Sequence, residues 1–268
     1  VPGGAGESAV ARRVSAWADD AGLRTTWLEE TPGRPSVVVR GGRAAGGRTL
    51  LLCGHLDVVG VDGMEAPFLP RLDGDRLYGR GTYDMKAGVV AALAACLDAA
   101  EAGIAGEVVV ALVADEEHSS LGVQEVLRHV TADAAIVTEP TSLLLVTSHK
   151  GFIWTEVEVV GRAAHGSRPE LGVDAIMKAG PVIVALAGID PQLHASTIVG
   201  GREASTIPDH LLLLLERRTV PGTTEEAHTS QIEAVLDSCR AADPALVVSQ
   251  RTTVARDPFA TPPDALIL

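Results

Sequence analysis

"LLLCGHLDVVG", residues 50–60, is an apolar run that ends on an imidazole and a carboxylate. Leu50, Leu51 and Leu52 lead in, and His55 and Asp57 follow with Leu56 between them. In an extended strand, side chains at i and i+2 share a face. His55 and Asp57 are therefore expected to point the same way. A carboxylate beside an imidazole fixes its tautomer and raises its basicity, as it does for histidines that bind metals. The pair equally suits a capped strand end with a surface ion pair.

The neighbouring segments set the context for that strand. "SVVVR" (36–40), "TLLLC" (49–53), "EVVVALVA" (107–114) and "AAIVT" (134–138) are short, nearly continuous apolar runs and read as strands. Helical spacing covers 7–21, an Ala- and Leu-rich stretch from Asp84 to about Ala102, and Leu121 to Val130. "RLDGDRLYG" (71–79) carries the DG signal of a hairpin. Apolar strands alternating with helices predict an α/β fold with a mostly parallel sheet sandwiched by helices.

Three acidic turns join His55 and Asp57. Asp84 lies in "YGRGTYDMKAG", at the expected start of the long helix, where an N-cap aspartate is the simplest role. Asp115, Glu116 and Glu117 leave a strand together in "ADEEHSSLG". Adjacent carboxylates repel one another, and either solvent or a cation must offset that. Glu139 in "VTEPTS" precedes Pro140, which keeps it out of a helix. Each reading is weak by itself. Together, all four places follow the carboxyl end of a strand or open the next helix, and in an open parallel sheet those ends gather at one ligand-binding rim. One histidine with several carboxylates suits zinc, with cobalt or manganese as substitutes.

Composition excludes several classes. The formal charge of −13 argues against nucleic acid or an anionic membrane as partner. No apolar run approaches the about 18 residues of a membrane helix. Cys53, Cys96 and Cys239 are odd in number and widely spaced, which points to a reducing, cytoplasmic setting. No GxGxxG follows the first strand, and there is no GxxxxGK[ST]. The pattern changes near residue 148. "FIWTEVEVVG" (152–161) alternates, with Ile153, Val157 and Val159 opposite Glu156 and Glu158. Helices near 172–188 (disturbed at Pro181) and 223–239 (a capping box from Thr223 to Glu226), with strands at "HASTIVG", "HLLLLLERR" and "ALVVSQRTT", predict an open antiparallel sheet with two helices on one face. The expected domains are 1–148, 149–255 and a short return segment at 256–268.

"CGHLDVV", "LYGRGTYDMKAG", "ADEEHSSLG" and "VTEPTS", followed by "GRAAHGSRPE" and "STIPDHLLLLLERRTVPG", resemble the M20 family of metallopeptidases and amidohydrolases, which includes enzymes of the acetylornithine deacetylase, succinyl-diaminopimelate desuccinylase and carboxypeptidase G2 type. The resemblance spans nearly the whole chain. It implies a metal-binding domain that is incomplete here, carrying an inserted lid or dimerisation domain. It also implies two zinc ions in the complete enzyme. His55 and Glu139 would bind one, Glu117 the other, and Asp84 would bridge them. Asp57 would orient His55, and Glu116 would be the general base. His165 would steady the oxyanion, often across a dimer. Arg218 would hold the substrate carboxylate, with Ser205 beside it on the substrate side. The implied activity is metal-dependent hydrolysis of an amide bond in an N-acyl amino acid or small peptide with a free carboxylate, and the implied assembly is a homodimer through the inserted domain.

The chain also departs from the family pattern. It opens on Val1, closes on "ALIL" and lacks a histidine matching the family's C-terminal ligand, so a clipped and truncated chain is expected. His194, His210 and His228 stand in no matching context. Ser205 and Glu216 occupy places where the family often has Asn and Asp. His118 and His149 read as local hydrogen-bonding residues. The alternative from another class is a catalytically inactive fragment that keeps the fold and binds metal or peptide weakly.

Overall fold

The structure is a computed structural model that describes residues 6–43, 46–265 and 267. The expected clip at Val1 and the closing Leu268 lie outside the described residues. The chain separates into two compact units, one running to Leu145 and one spanning Val146–Ala265.

The first unit opens with α1 (Ser8–Asp20), followed by β1 (Arg24–Leu28), β2 (Ser36–Gly42) and β3 (Thr49–His55). The hairpin β4 (Arg71–Asp73) and β5 (Arg76–Tyr78) comes next, then α2 (Ala87–Ala102), β6 (Glu107–Val113), α3 (Leu121–His129) and β7 (Ala134–Val137). Five strands form one sheet in the order β1-β2-β6-β3-β7. β3 pairs parallel with both β6 and β7, while β1 and β2 extend the sheet antiparallel. The parallel ladder sets His55 opposite Val113 and Cys53 opposite Val137, so three strands end at one level. All seven residues of β6 are buried, as a central strand covered on both faces requires. One face packs Val37, Val39, Leu52, Val110 and Leu112 against α1 and α2; the other packs Val38, Leu51, Val109, Ala111 and Val113 against Val126 of α3.

Two expectations shift here. The strand β1 has no apolar run to announce it, and most of its five residues are exposed. The helix expected from Asp84 begins at Ala87. Residues Thr82–Lys86 form a wide turn, in which Asp84 is extended (φ −112°, ψ 101°) and caps nothing.

The second unit contains β8 (Ser148–His149), β9 (Gly151–Val160), β10 (Ala164–His165), α4 (Ala175–Ala187), β11 (Leu193–Gly200), β12 (Thr206–Ile207), β13 (His210–Thr219), α5 (Glu225–Ala242), β14 (Val247–Arg256) and β15 (Phe259–Ala260). The main sheet is antiparallel throughout, in the order β11-β13-β9-β14. Val157, Val159, Leu211, Leu213 and Leu215 pack against Val182 and Leu186 of α4 and Ile232 and Leu236 of α5, which places both helices on one face. Pro181 stays within α4. The cap of α5 is Thr224, whose hydroxyl accepts from the Ala227 amide at 3.1 Å, one residue after the expected Thr223. Thr223 instead receives the Val220 amide at 3.4 Å. The segment beyond 255 contributes β15, which pairs with β8 of the same unit.

Candidate metal centre

His55 closes β3 and is 1% exposed. Its backbone amide donates to the Met85 sulfur at 3.2 Å, which ties the strand end to the wide turn before α2. That turn can approach because residue 88 is glycine: a Cβ there would lie 2.2 Å from the Thr138 carbonyl oxygen. α2 therefore begins directly on the end of β7, and Asp84 and Glu139 come to the same rim.

At the rim, His55 Nε2 lies 3.1 Å from Asp84 Oδ1 and 3.7 Å from Glu139 Oε1. Its other nitrogen, Nδ1, lies 3.3 Å from Asp57 Oδ1 and 3.1 Å from the Asp57 carbonyl oxygen. Asp57 is buried and does a second job: Oδ1 accepts from the Glu116 amide at 3.1 Å and Oδ2 from the Glu117 amide at 3.0 Å. One carboxylate thus joins the end of β3 to the turn after β6. Ligand atoms of His55, Glu116 and Glu139 all lie within 4.8 Å of one another, as do those of His55, Asp84 and Glu117. Asp84, Glu116, Glu117 and Glu139 are reached by solvent to differing extents, whereas His55 is enclosed.

The electrostatics follow from crowding. Burial pulls the His55 imidazole down, but hydrogen bonds to Asp57 and Asp84 and the field of Glu116 raise it to about 9. Burial would raise Asp57, yet its bonds to His55 and to the amides of Glu117 and Glu116 hold it at about 2. Desolvation, with Glu116, Asp84 and Glu117 nearby, lifts Glu139 to about 7 against the pull of His55. Glu116 and Glu117 are raised in the same direction, first by desolvation and then by neighbouring carboxylates. Lys86 Nζ donates to the Asp57 carbonyl at 3.1 Å, and burial lowers it. The Arg80 guanidinium is a second cation whose field reaches Glu117. One imidazole, one ammonium and one guanidinium beside five carboxylates still leave an excess of negative charge, which a divalent cation would neutralise. The donors present fit such an ion. Among the described residues Glu117 Oε1 is buried without a hydrogen-bond partner, an arrangement that is costly unless something charged or polar faces it.

The remaining expected site residues lie in the second unit. His165 is exposed at the end of β10. Its Nδ1 lies 2.8 Å from Ser167 Oγ and accepts from the Ser167 amide at 3.2 Å. Arg218 lies 2.6 Å from Glu216 Oε1 and over the Phe152 ring at 5.5 Å. Ser205 is exposed, and its carbonyl accepts from the Gly166 amide at 2.7 Å. His118 and His149 are exposed, and neither belongs to a ligand group among the described residues. His210 pairs with Glu158, and His228 is buried against Thr155. Lys86 went unread in the sequence, although it stands two residues after Asp84 in the same motif. Arg34 also went unread: it contacts Asp115 across 81 positions and gives no local signal.

A family profile described as peptidase family M20/M25/M40 matches residues 51–251. An acetylornithine deacetylase of Myxococcus xanthus is 32% identical over 237 residues, covering 81% of this chain and 60% of that protein. One of Vibrio atlanticus is 30% identical over 261 residues, covering 88% of this chain and 68% of that protein. The chain thus spans 60% and 68% of the length of these two curated relatives. Among solved structures, an M20 family metallo-carboxypeptidase from Sulfolobus solfataricus superposes with a TM-score of 0.78 at 17% identity, covering 96% of this chain and 75% of that one. A tripeptidase from Staphylococcus aureus superposes with a TM-score of 0.76 at 20% identity, covering 97% and 74%. At such identities these structures speak for the fold alone.

Proposed function

This chain belongs to peptidase family M20/M25/M40, and from that premise we propose that it serves metal-dependent hydrolysis of an amide bond in an N-acyl amino acid or small peptide bearing a free carboxylate. The observation that carries this reading is the convergence of His55, Asp84, Glu116, Glu117 and Glu139 at one sheet rim, with a buried Glu117 oxygen that lacks a partner among the described residues. The likeness to acetylornithine deacetylases favours an N-acetyl amino acid within that class.

His55, Asp84, Glu117 and Glu139 would hold the metal, with zinc the ion best matched to one imidazole and several carboxylates. When bound, such an ion makes water a stronger acid and polarises the amide carbonyl. The chain's own residues supply the rest. Glu116 accepts the proton of the attacking water and returns it to the departing nitrogen. Its raised affinity for protons suits that double task. Asp57 keeps the His55 ring turned with Nε2 toward the rim and fixes the amides of Glu116 and Glu117, so the base and its neighbour keep their spacing. Two roles toward the substrate are proposed for the second unit: His165 donating from Nε2 to the developing oxyanion, and Arg218 pairing with the carboxylate through its planar fork, with Ser205 as a further polar contact. Arg218 would have to exchange its present partner, Glu216, for the substrate.

The test is a hydrolysis assay on a panel of N-acyl amino acids with added zinc or cobalt. Glu116→Gln should lower kcat by about 10²- to 10⁴-fold, the usual worth of a general base, with metal binding retained. Activity that Glu116→Gln leaves intact would sink the assignment.

A further inference from the structure

One buried cluster of the first unit has no part in the reading above. Arg34, in the turn between β1 and β2, is 17% exposed. Its Nε and Nη2 donate to the two carboxylate oxygens of Glu7, each at 2.7 Å, and Nη2 also donates to Asp115 Oδ1 at 2.7 Å. Glu7 and Asp115 are both buried. Buried charges persist where partners compensate them, and the rigid guanidinium fork can serve both carboxylates in a way an ammonium cannot.

Backbone on either side builds this contact. Gly6 has φ +70°, and a Cβ there would lie 2.1 Å from the Gly33 carbonyl oxygen. The start of α1 is therefore seated directly on the Arg34 turn. At the other end, Asp115 has φ +61°, a conformation few residues other than glycine adopt. Its carbonyl accepts from the amides of Ser119 (3.2 Å) and Ser120 (2.6 Å). Asp115 is thus the root of the turn that displays Glu116 and Glu117. Asp57 grips the outer side of that turn through its two amides, and Arg34 grips the root.

We propose that Arg34, fixed by Glu7, is a positioning residue that acts through Asp115 to hold the Glu116–Glu117 turn in place for the metal centre. The holding of the turn rests on this geometry alone, and its functional consequence rests on the metal-hydrolase reading.

The experiment uses the 268-residue chain with Arg34→Met, Arg34→Lys and, as a control for general loss of stability, Val39→Ala in the buried core of β2. Hydrogen exchange at the amides of residues 116–120 and Co²⁺ binding followed by visible absorption are the readouts. Arg34→Met should speed exchange in that turn by about tenfold or more, as local opening becomes easier, and weaken Co²⁺ binding by about 10- to 100-fold. Arg34→Lys should recover part of both, and Val39→Ala should change neither. Should Arg34→Met fail to fold, Arg34→Lys is read in the same way. Unchanged exchange in the Arg34 variants, or equal acceleration in Val39→Ala, would overturn the proposal. If the parent chain takes up no Co²⁺, the metal reading itself fails, and exchange alone then decides for or against the clamp.

Discussion

His228 shows how far a single side chain can be carried by its surroundings. It is buried in the second unit, 2.8 Å from Thr155 Oγ1 and 3.5 Å from an Arg217 nitrogen. Arginine can only donate, so Nδ1 accepts and Nε2 carries the proton toward Thr155. Desolvation, with Arg217 adding repulsion, lowers this imidazole to about 4. The unfolded chain takes up its proton near pH 6.5, whereas the folded chain refuses it until about 4. The contribution to stability is therefore complete above pH ~6.5 and is lost as pH falls toward 4, by roughly 3 kcal/mol in all. Chemical denaturation at a series of pH values should show that slope, and His228→Gln should flatten it. The local environment of His228 lay beyond sequence reading, since Thr155 and Arg217 reach it through tertiary packing. His55 and Asp57 were legible as neighbours because they stand two residues apart, although Asp57 lies just past the end of β3. The link from Asp57 to the amides of Glu116 and Glu117 was not, because it joins the ends of two different strands.

At the scale of elements, apolar runs announced their strands, and the approach of backbones stayed hidden. β2, β3, β6 and β7 could be read because each carries a run of Val, Leu, Ile or Ala, although β7 is an edge strand with three of its four residues exposed. β1 could not, because "RTTWL" has no such run. The helix after Asp84 was expected three residues early, since composition cannot reveal that Met85 turns inward to meet the His55 amide. Gly88 matters more at this scale than its size suggests. Gly88→Ala would force α2 away from the Thr138 carbonyl, and overpacking of this kind costs about 1–3 kcal/mol. The thermal midpoint should fall, and zinc affinity should fall with it, because Asp84 lies just before α2 and Glu139 just after β7, the two elements being separated. A variant that loses stability yet binds zinc as before would show that the site does not depend on this contact.

For the molecule as a whole, two separate cores imply two accounts of stability. The first unit holds the proposed metal ligands, while the second is built on its own antiparallel sheet and two helices. A ligand that binds only one folded unit stabilises only that unit. At a zinc concentration one hundred times Kd, the gain is about 2.7 kcal/mol. Calorimetry should show one transition moving upward with zinc and another standing still; a single transition that shifts as a whole would count against independent cores. The parallel pairing of β3 with β6 and β7 has a further consequence for which changes of length the chain can absorb. β3 acts as a ruler, since the residues from Thr49 to His55 set both the height and the facing of the imbalanced acidic rim. Removing one residue from it would turn His55 to the opposite face, whereas the tip between Asp73 and Arg76 stands in solvent and can lengthen freely. Insertions and deletions in this gene should therefore be counted by place: none within β3, and many at the tip of the β4–β5 hairpin that follows it.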